Sequence, residues 1–216
     1  EKFNNSGIIA DMSTDDWPFF YMSVRAYPKS YVIMIIVLAI ISLLTILQTV
    51  PGSKEGFSIP CFFLGAGFML VETKGITELG LVFGNTWVVI SVVVCGILFM
   101  SFLANCTVIA SKRINNTFVY ILIGVSLTAG YFINIADFPS GPLWSGNLLW
   151  IFLLVLPIYF AGLAFSTEIA KGNKVHIALA SNLLGAILGG FLEYNSMYFG
   201  FKALYLIAMG MYFLAF

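Results

Sequence analysis

The sequence predicts an all-α protein, a polytopic transmembrane bundle of about seven helices. Three observations predict it. No Asp, Glu, Lys or Arg occurs between Glu78 and Lys112, nor between Asp137 and Glu168, and each gap exceeds the ~20 residues that cross a bilayer core. The 216 residues are 60% hydrophobic and only 9% charged, with a mean hydropathy of +0.99. Such a chain cannot supply the charged face of a water-soluble domain over most of its length. Its apolar runs are continuous and joined by short turns, without the alternation of a membrane β-barrel.

The elements follow in order. Residues 1–30 are a polar-to-aromatic lead-in in which Pro18 and Pro28 break any helix. Residues 13–16 have the character of a helix cap. Trp17, Phe19, Phe20, Tyr21 and Tyr27 suit the headgroup layer, where amphipathic rings settle. A first helix is predicted over 31–50, ended by Pro51-Gly52 and a turn at 54–56. The second starts near Ser58, is apolar to Val71, and then meets Glu72, Lys74 and Glu78. The third covers 85–110, with Asn85 as cap and Trp87 as interface anchor, and ends at Lys112-Arg113. The fourth covers 116–135, before a loop holding Asp137, Pro139, Gly141 and Pro142. The fifth covers 146–169, with a kink expected at Pro157. After a turn at 171–174 the sixth spans 175–193, and a seventh begins near Gly200.

Residue 1 is Glu, and the apolar run 203–216 is too short to span. Both ends read as cut, so a piece of a longer polypeptide is expected, with 31–216 as a membrane domain truncated at its C-terminus. With seven crossings, Lys54, Lys112, Arg113, Lys171 and Lys174 share one side, and Arg25, Lys29 and Lys74 the other. The positive-inside rule places the first set in the cytoplasm.

Zero net charge without basic blocks argues against a nucleic-acid partner. Cys61, Cys95 and Cys106 lie in apolar stretches without a CxxC pattern, and His176 is the single histidine. No bis-histidine haem or His/Cys metal site fits this chain, and no cofactor is expected in it. No nucleophile elbow, Walker loop, GxGxxG or HExxH occurs, so no catalytic residue is assigned. The sequons at 4–6 and 115–117 are short matches without weight.

The polar intramembrane candidates are Glu72, Lys74, Glu78, Asn105, Asn182 and Glu193. Lys74 and Glu78 are four apart and can pair on a helix, while Glu72 has no obvious partner in its own segment. Two readings stay open. Either helix 2 ends at Val71 and these are headgroup charges, or it continues and they face a bundle interior as a proton, cation or polyamine site. In helix 6, Ala178, Asn182, Gly185, Gly189, Glu193 and Ser196 share one stripe at 100° per residue. Gly185 and Gly189 form a GxxxG pair for close helix packing, across which Asn182 can bond. Glu193 sits either at the membrane edge or opposite Lys74 or another polar group in a central crevice. Asn105 lies deep in helix 3 and is expected to bond a neighbouring helix.

Three stretches carry a resemblance: 14–19 (TDDWPF) ahead of a membrane helix, 65–87 (GAGFMLVETKGITELGLVFGNTW) and 181–197 (SNLLGAILGGFLEYNSM). Together they resemble bacterial spermidine-synthase-like integral membrane proteins, over essentially the whole chain. The resemblance implies a reduced major-facilitator-like bundle in a bacterial inner membrane. It also implies an aminopropyltransferase- or methyltransferase-like Rossmann domain upstream of Glu1, with Asp15 and Asp16 at its tail. Three functions are then open. One is a transporter-like module for a polyamine or other small cation, held by Glu72, Glu78 and Glu193 with Lys74 neutralising a carboxylate in the empty state. Another is an accessory subunit of a membrane complex, and the third a membrane anchor for the upstream enzyme.

Overall fold

The computed structural model describes residues 11–49, 56–83, 87–111, 114–132, 148–172 and 174–216. Several features named above lie outside the described residues: the sequon at 4–6, the turn at 51–55, Asn85-Thr86, Lys112-Arg113, and the loop with Asp137, Pro139, Gly141 and Pro142. The architecture is all-helical. The described segments are α1 (Lys29–Thr49), α2 (Ile59–Phe83), α3 (Trp87–Ala110), α4 (Asn116–Phe132), α5 (Leu148–Lys171), α6 (Val175–Glu193), the single turn α7 (Ser196–Phe199) and α8 (Lys202–Ala215). Four stretches are long and apolar enough to cross a membrane: Ile59–Gly80, Ile90–Ala110, Phe152–Lys171 and Val175–Phe199. α5 runs unbroken through Pro157.

Of the two readings of helix 2, the one that ends it at Val71 is overturned. α2 continues through Glu72, Lys74 and Glu78 to Phe83, because Lys74 and Glu78 satisfy each other within the helix. The predicted seventh helix is α8, which starts at Lys202, and the single turn α7 precedes it. Gly200 makes that corner, with φ +89°, a left-handed conformation that side chains with a Cβ rarely adopt.

α2 is the axis of the bundle. It packs along α6 and α8 and also touches α5 and α3, while α5 packs on α3 and α4, and α4 on α8. It is the least apolar of the four spanning stretches and the most buried. The core is built from Leu64, Leu70 and Val71 of α2, Ile123 and Leu127 of α4, Leu154 and Ile158 of α5, and Leu204 and Ala208 of α8. The outside is apolar too: Phe102, Ile109, Val125, Leu183 and Phe213 are exposed. A bundle greasy on both faces, with its backbone bonds closed inside helices, is a membrane-embedded module in contact with lipid. α1 turns Ile33, Ile36 and Ile40 outward and meets the bundle through Tyr31, whose ring centroid lies 5.3 Å from that of Tyr194.

The α2–α6 contact is the closest. The two helices run parallel, since Phe62 meets Gly185 and Ala66 meets Gly189. A Cβ on Gly185 would collide with the Phe62 carbonyl oxygen, and one on Gly65 with the Asn182 carbonyl oxygen. A Cβ on Gly189 would sit 2.5 Å from the Ala66 oxygen. The hydrogen atoms of these glycines are what allow two backbones to touch where apolar burial gives no preference over lipid. Side chains then cross the seam: Asn182 Nδ2 donates to the Cys61 carbonyl at 3.2 Å, and the Ser58 N–H donates to Ser181 Oγ at 2.9 Å.

Gly185→Leu is expected to lower the thermal midpoint of the detergent-solubilised protein by the equivalent of ~1–3 kcal/mol or more, the usual cost of overpacking. Gly190→Ala, where an added Cβ meets nothing within 4 Å, should leave it unchanged or slightly raised. Equal midpoints for the two variants would show that this seam does not hold the bundle.

Candidate intramembrane site

The charges of α2 fall within its candidate membrane span. At ~1.5 Å per residue, Glu72, Lys74 and Glu78 lie ~4, ~7 and ~13 Å from the midpoint of the spanning stretch, inside the ~15 Å half-thickness of a bilayer core. An ion is expensive there unless something in the protein meets it. Lys74 and Glu78 meet each other: Nζ and Oε2 are 2.8 Å apart, and both residues are 2% exposed.

Tyr205 of α8 completes the cluster. Its hydroxyl lies 3.4 Å from Glu78 Oε2, and the Lys74 ammonium sits 4.9 Å above its ring centroid. One aromatic side chain thus donates toward the carboxylate and offers its π face to the cation. The ring has room because α4 presents Gly130, where an added Cβ would approach Tyr205 Cζ to 3.0 Å. Asp16 and Lys202 act on Lys74 electrostatically from the same end of the bundle, the first attracting and the second repelling its ammonium.

Asp16 belongs to the lead-in, where Phe20 and Tyr21 are exposed but Trp17 is not a surface ring. Trp17 is 0% exposed, and its Nε1 donates to the Met197 carbonyl at 2.7 Å. The ring is buried because residues 14–17 close a turn, with Thr14 and Trp17 exchanging backbone hydrogen bonds at 3.1 and 2.9 Å. Asp16 does not cap a helix of its own segment. It caps α8: its Oδ1 accepts the Lys202 N–H at 2.7 Å, and its carbonyl accepts the Phe201 N–H at 2.8 Å. A carboxylate at a helix N-terminus meets both free N–H groups and the positive end of the dipole. Phe19 stacks on Phe201, Arg25 lies over the Trp17 ring, and Tyr27 stacks on Tyr198 while donating to Asn195 Oδ1 at 2.9 Å. Partial burial and the nearby Tyr198 push the Tyr27 hydroxyl above its ordinary pKa, which keeps that donor protonated.

Glu193 is at the last turn of α6, next to Thr73 rather than opposite Lys74. It lines a small cavity of about 130 Å³ with Phe19, Ser196 and Phe201. Of the polar groups it could face, Glu193 meets Thr73, while Glu78 pairs with the Lys74 ammonium. Glu72 is half-buried and has neither hydrogen bond nor ion pair among the described residues. Asn105, on an exposed face of α3, accepts a hydrogen bond from Ser166 of α5. It shares with Asn182 a cavity of about 240 Å³ between α2, α3, α5 and α6.

At the opposite end of the bundle from Asp16 lies an open vestibule of about 700 Å³, lined by Ser58, Cys61, Glu168 and Lys171 among others. Glu168 Oε1 accepts from Lys171 Nζ and from Asn116 Nδ2, both at 2.7 Å. Among the described residues no group of three or more metal-ligating side chains occurs.

The structure thus brings together two of the sequence candidates in the ion pair and two at the cavity, and leaves Glu72 and Glu193 elsewhere. Asp16, Trp17 and Tyr205 were missed. The available signal for Asp16 was Gly200 just ahead of a short apolar helix lacking its own cap residue. The chain matches no protein-family model, no curated protein and no solved structure.

Lys74→Met strands Glu78 in the interior and should destabilise the bundle by ~3–5 kcal/mol, the cost of breaking a buried pair. Adding Glu78→Leu should restore most of that. Lys171→Ala, which removes an exposed pair, should cost at most ~1 kcal/mol. Chemical unfolding in mixed micelles reads all three. A double variant no more stable than Lys74→Met would mean that the two side chains do not act as a pair.

Proposed function

We propose that this membrane-embedded module is non-catalytic and transporter-like, and handles a small cation in the membrane part of a spermidine-synthase-like protein. One observation carries the reading: the central helix holds Glu72, Lys74 and Glu78 within its candidate membrane span, two of them sealed from solvent as an ion pair. Packing alone gives no reason for this. A buried pair is commonly no more stable than apolar side chains of the same volume, and ionisable groups inside membranes mark substrate and ion pathways far more often than they serve as glue. In this reading Lys74 neutralises Glu78 in the empty state, which leaves Glu72 to meet an incoming cation. Glu72 and Glu193 are the further carboxylates on the route.

Proteoliposomes carrying the protein should accumulate radiolabelled spermidine or a simpler alkylammonium above protein-free controls. Glu72→Gln and Glu193→Gln should each reduce the initial rate at least tenfold while leaving the thermal midpoint in place. Uptake unchanged by both substitutions would remove the transport reading.

A second reading, the anchor of an upstream domain, is favoured by a separate observation. The lead-in is welded to the bundle through Asp16 and Trp17 and does not run as a loose tether. In this reading an upstream domain joins the bundle through a segment that is itself docked on it. Trp17→Ala should make the bond after Arg25 at least tenfold more sensitive to trypsin, since a buried tryptophan is worth ~3–5 kcal/mol. Cleavage equally rapid in the unmodified protein would show that the segment is not docked, and would end this reading.

A further inference from the structure

The cavity between α2, α3, α5 and α6 has the features of a ligand chamber. Its volume of about 240 Å³ is room for ~8 water-sized groups at ~30 Å³ each. Its wall is divided chemically. Phe68 and Phe165 give it aromatic faces, and Ser101, Asn105, Ser166 and Asn182 give it hydroxyl and amide groups. The Asn182 amide nitrogen is committed to the Cys61 carbonyl, which leaves Asn182 Oδ1 as an acceptor. Ser166 commits its hydrogen to Asn105, which leaves the Ser166 oxygen lone pairs. Two acceptors beside two aromatic rings suit a group that donates several hydrogen bonds, carries positive charge and has a hydrocarbon body. The wall itself holds no ion.

The charge that would match such a ligand lies one turn away. Glu72 follows Phe68 at i+4 and so stands above it on the same face of α2. It is half-buried, near the middle of the span, and unpartnered among the described residues. Lys74 and Glu78 lie on the side of α2 that meets Tyr205 and α8 and do not compete for it.

Access is also laid out. Cys61 lines the open vestibule and Asn182 lines the chamber, and the hydrogen bond between them is the partition. We propose that this chamber binds a small primary alkylammonium, which enters from the Glu168 vestibule past Asn182 and extends its ammonium toward Glu72. The inference rests on the cation-handling reading and names the ligand class and its seat.

The test uses the full chain in lipid nanodiscs, with Ser166→Cys as reporter and N-ethylmaleimide as reagent, read by site-resolved mass spectrometry. n-Butylammonium should slow modification of the introduced thiol at least fivefold without slowing that of the exposed Cys106. In the Glu72→Gln background the protection should fall below twofold. 1-Butanol, which has the same body without the charge, should act alike in both backgrounds. The same pattern is expected with the reporter at Ser101→Cys, which spares the Ser166–Asn105 bond. No protection by n-butylammonium at either reporter, or equal protection with and without the Glu72 carboxylate, overturns the proposal. Protection without proteoliposome uptake keeps the chamber and removes transport; uptake without protection removes the chamber alone.

Discussion

The ion pair between Lys74 and Glu78 is the constraint to which the rest of the bundle conforms. Each partner alone would be costly at its depth in the membrane, so neither can face lipid. Both must be enclosed, and enclosing them forces α2 to the centre, with α8 and Tyr205 over one flank. The least apolar spanning stretch thereby becomes the most buried one, the reverse of the order found in water and the natural order in lipid. There, apolar surface gains little by leaving the solvent, and polar surface gains much. The glycines of α6 serve the same end from the other flank, since only backbone in contact with backbone seals α2 that closely.

The two ends of the bundle are built differently. The end bearing Asp16 is closed by a folded plug in which a buried indole, a remote cap on α8 and several stacked aromatic pairs lock the lead-in to α7 and α8. The end bearing Glu168 is open, its wall mixing Glu168, Lys171 and Lys174 with apolar residues such as Phe57, Ile59 and Ile177. A purely space-filling bundle has no need of this asymmetry. The plugged end shields the ion pair from water that would weaken it, and the open end has no such pair to protect.

The helices were legible because a chain this apolar has one way to satisfy its backbone, so their boundaries follow from turn residues and charges alone. Gly185, Gly189 and Asn182 were legible as a packing seam for the same reason, being small and polar groups at helical spacing. What escaped was set by contacts remote in sequence. Nothing near Trp17 says that a carbonyl at Met197 awaits its N–H, and aromatic residues beside a span ordinarily belong to headgroups. Asp16 reads as a local cap because its true helix begins at Lys202. The continuation of α2 past Val71 was open because a charge ends a membrane helix unless it has a partner. Whether the i+4 lysine–glutamate pair would be enclosed depended on α8, and on Gly130 leaving space for the Tyr205 ring.

The placement of Glu72 against Lys74 separates structural roles from binding roles. At 100° per residue the two side chains point to nearly opposite sides of α2. On the α8 side the protein supplies its own counter-ion and an aromatic ring, and the site is complete. On the other side the same helix carries a carboxylate one turn above a cavity lined by rings, hydroxyls and amides, with no cation to meet it among the described residues. If charge served only to specify packing, both sides would be matched internally, since an unmatched carboxylate adds cost and no specificity. The mismatch on one side alone is what the cation-binding proposal rests on, and the matched pair on the other side is what holds α2 at the centre.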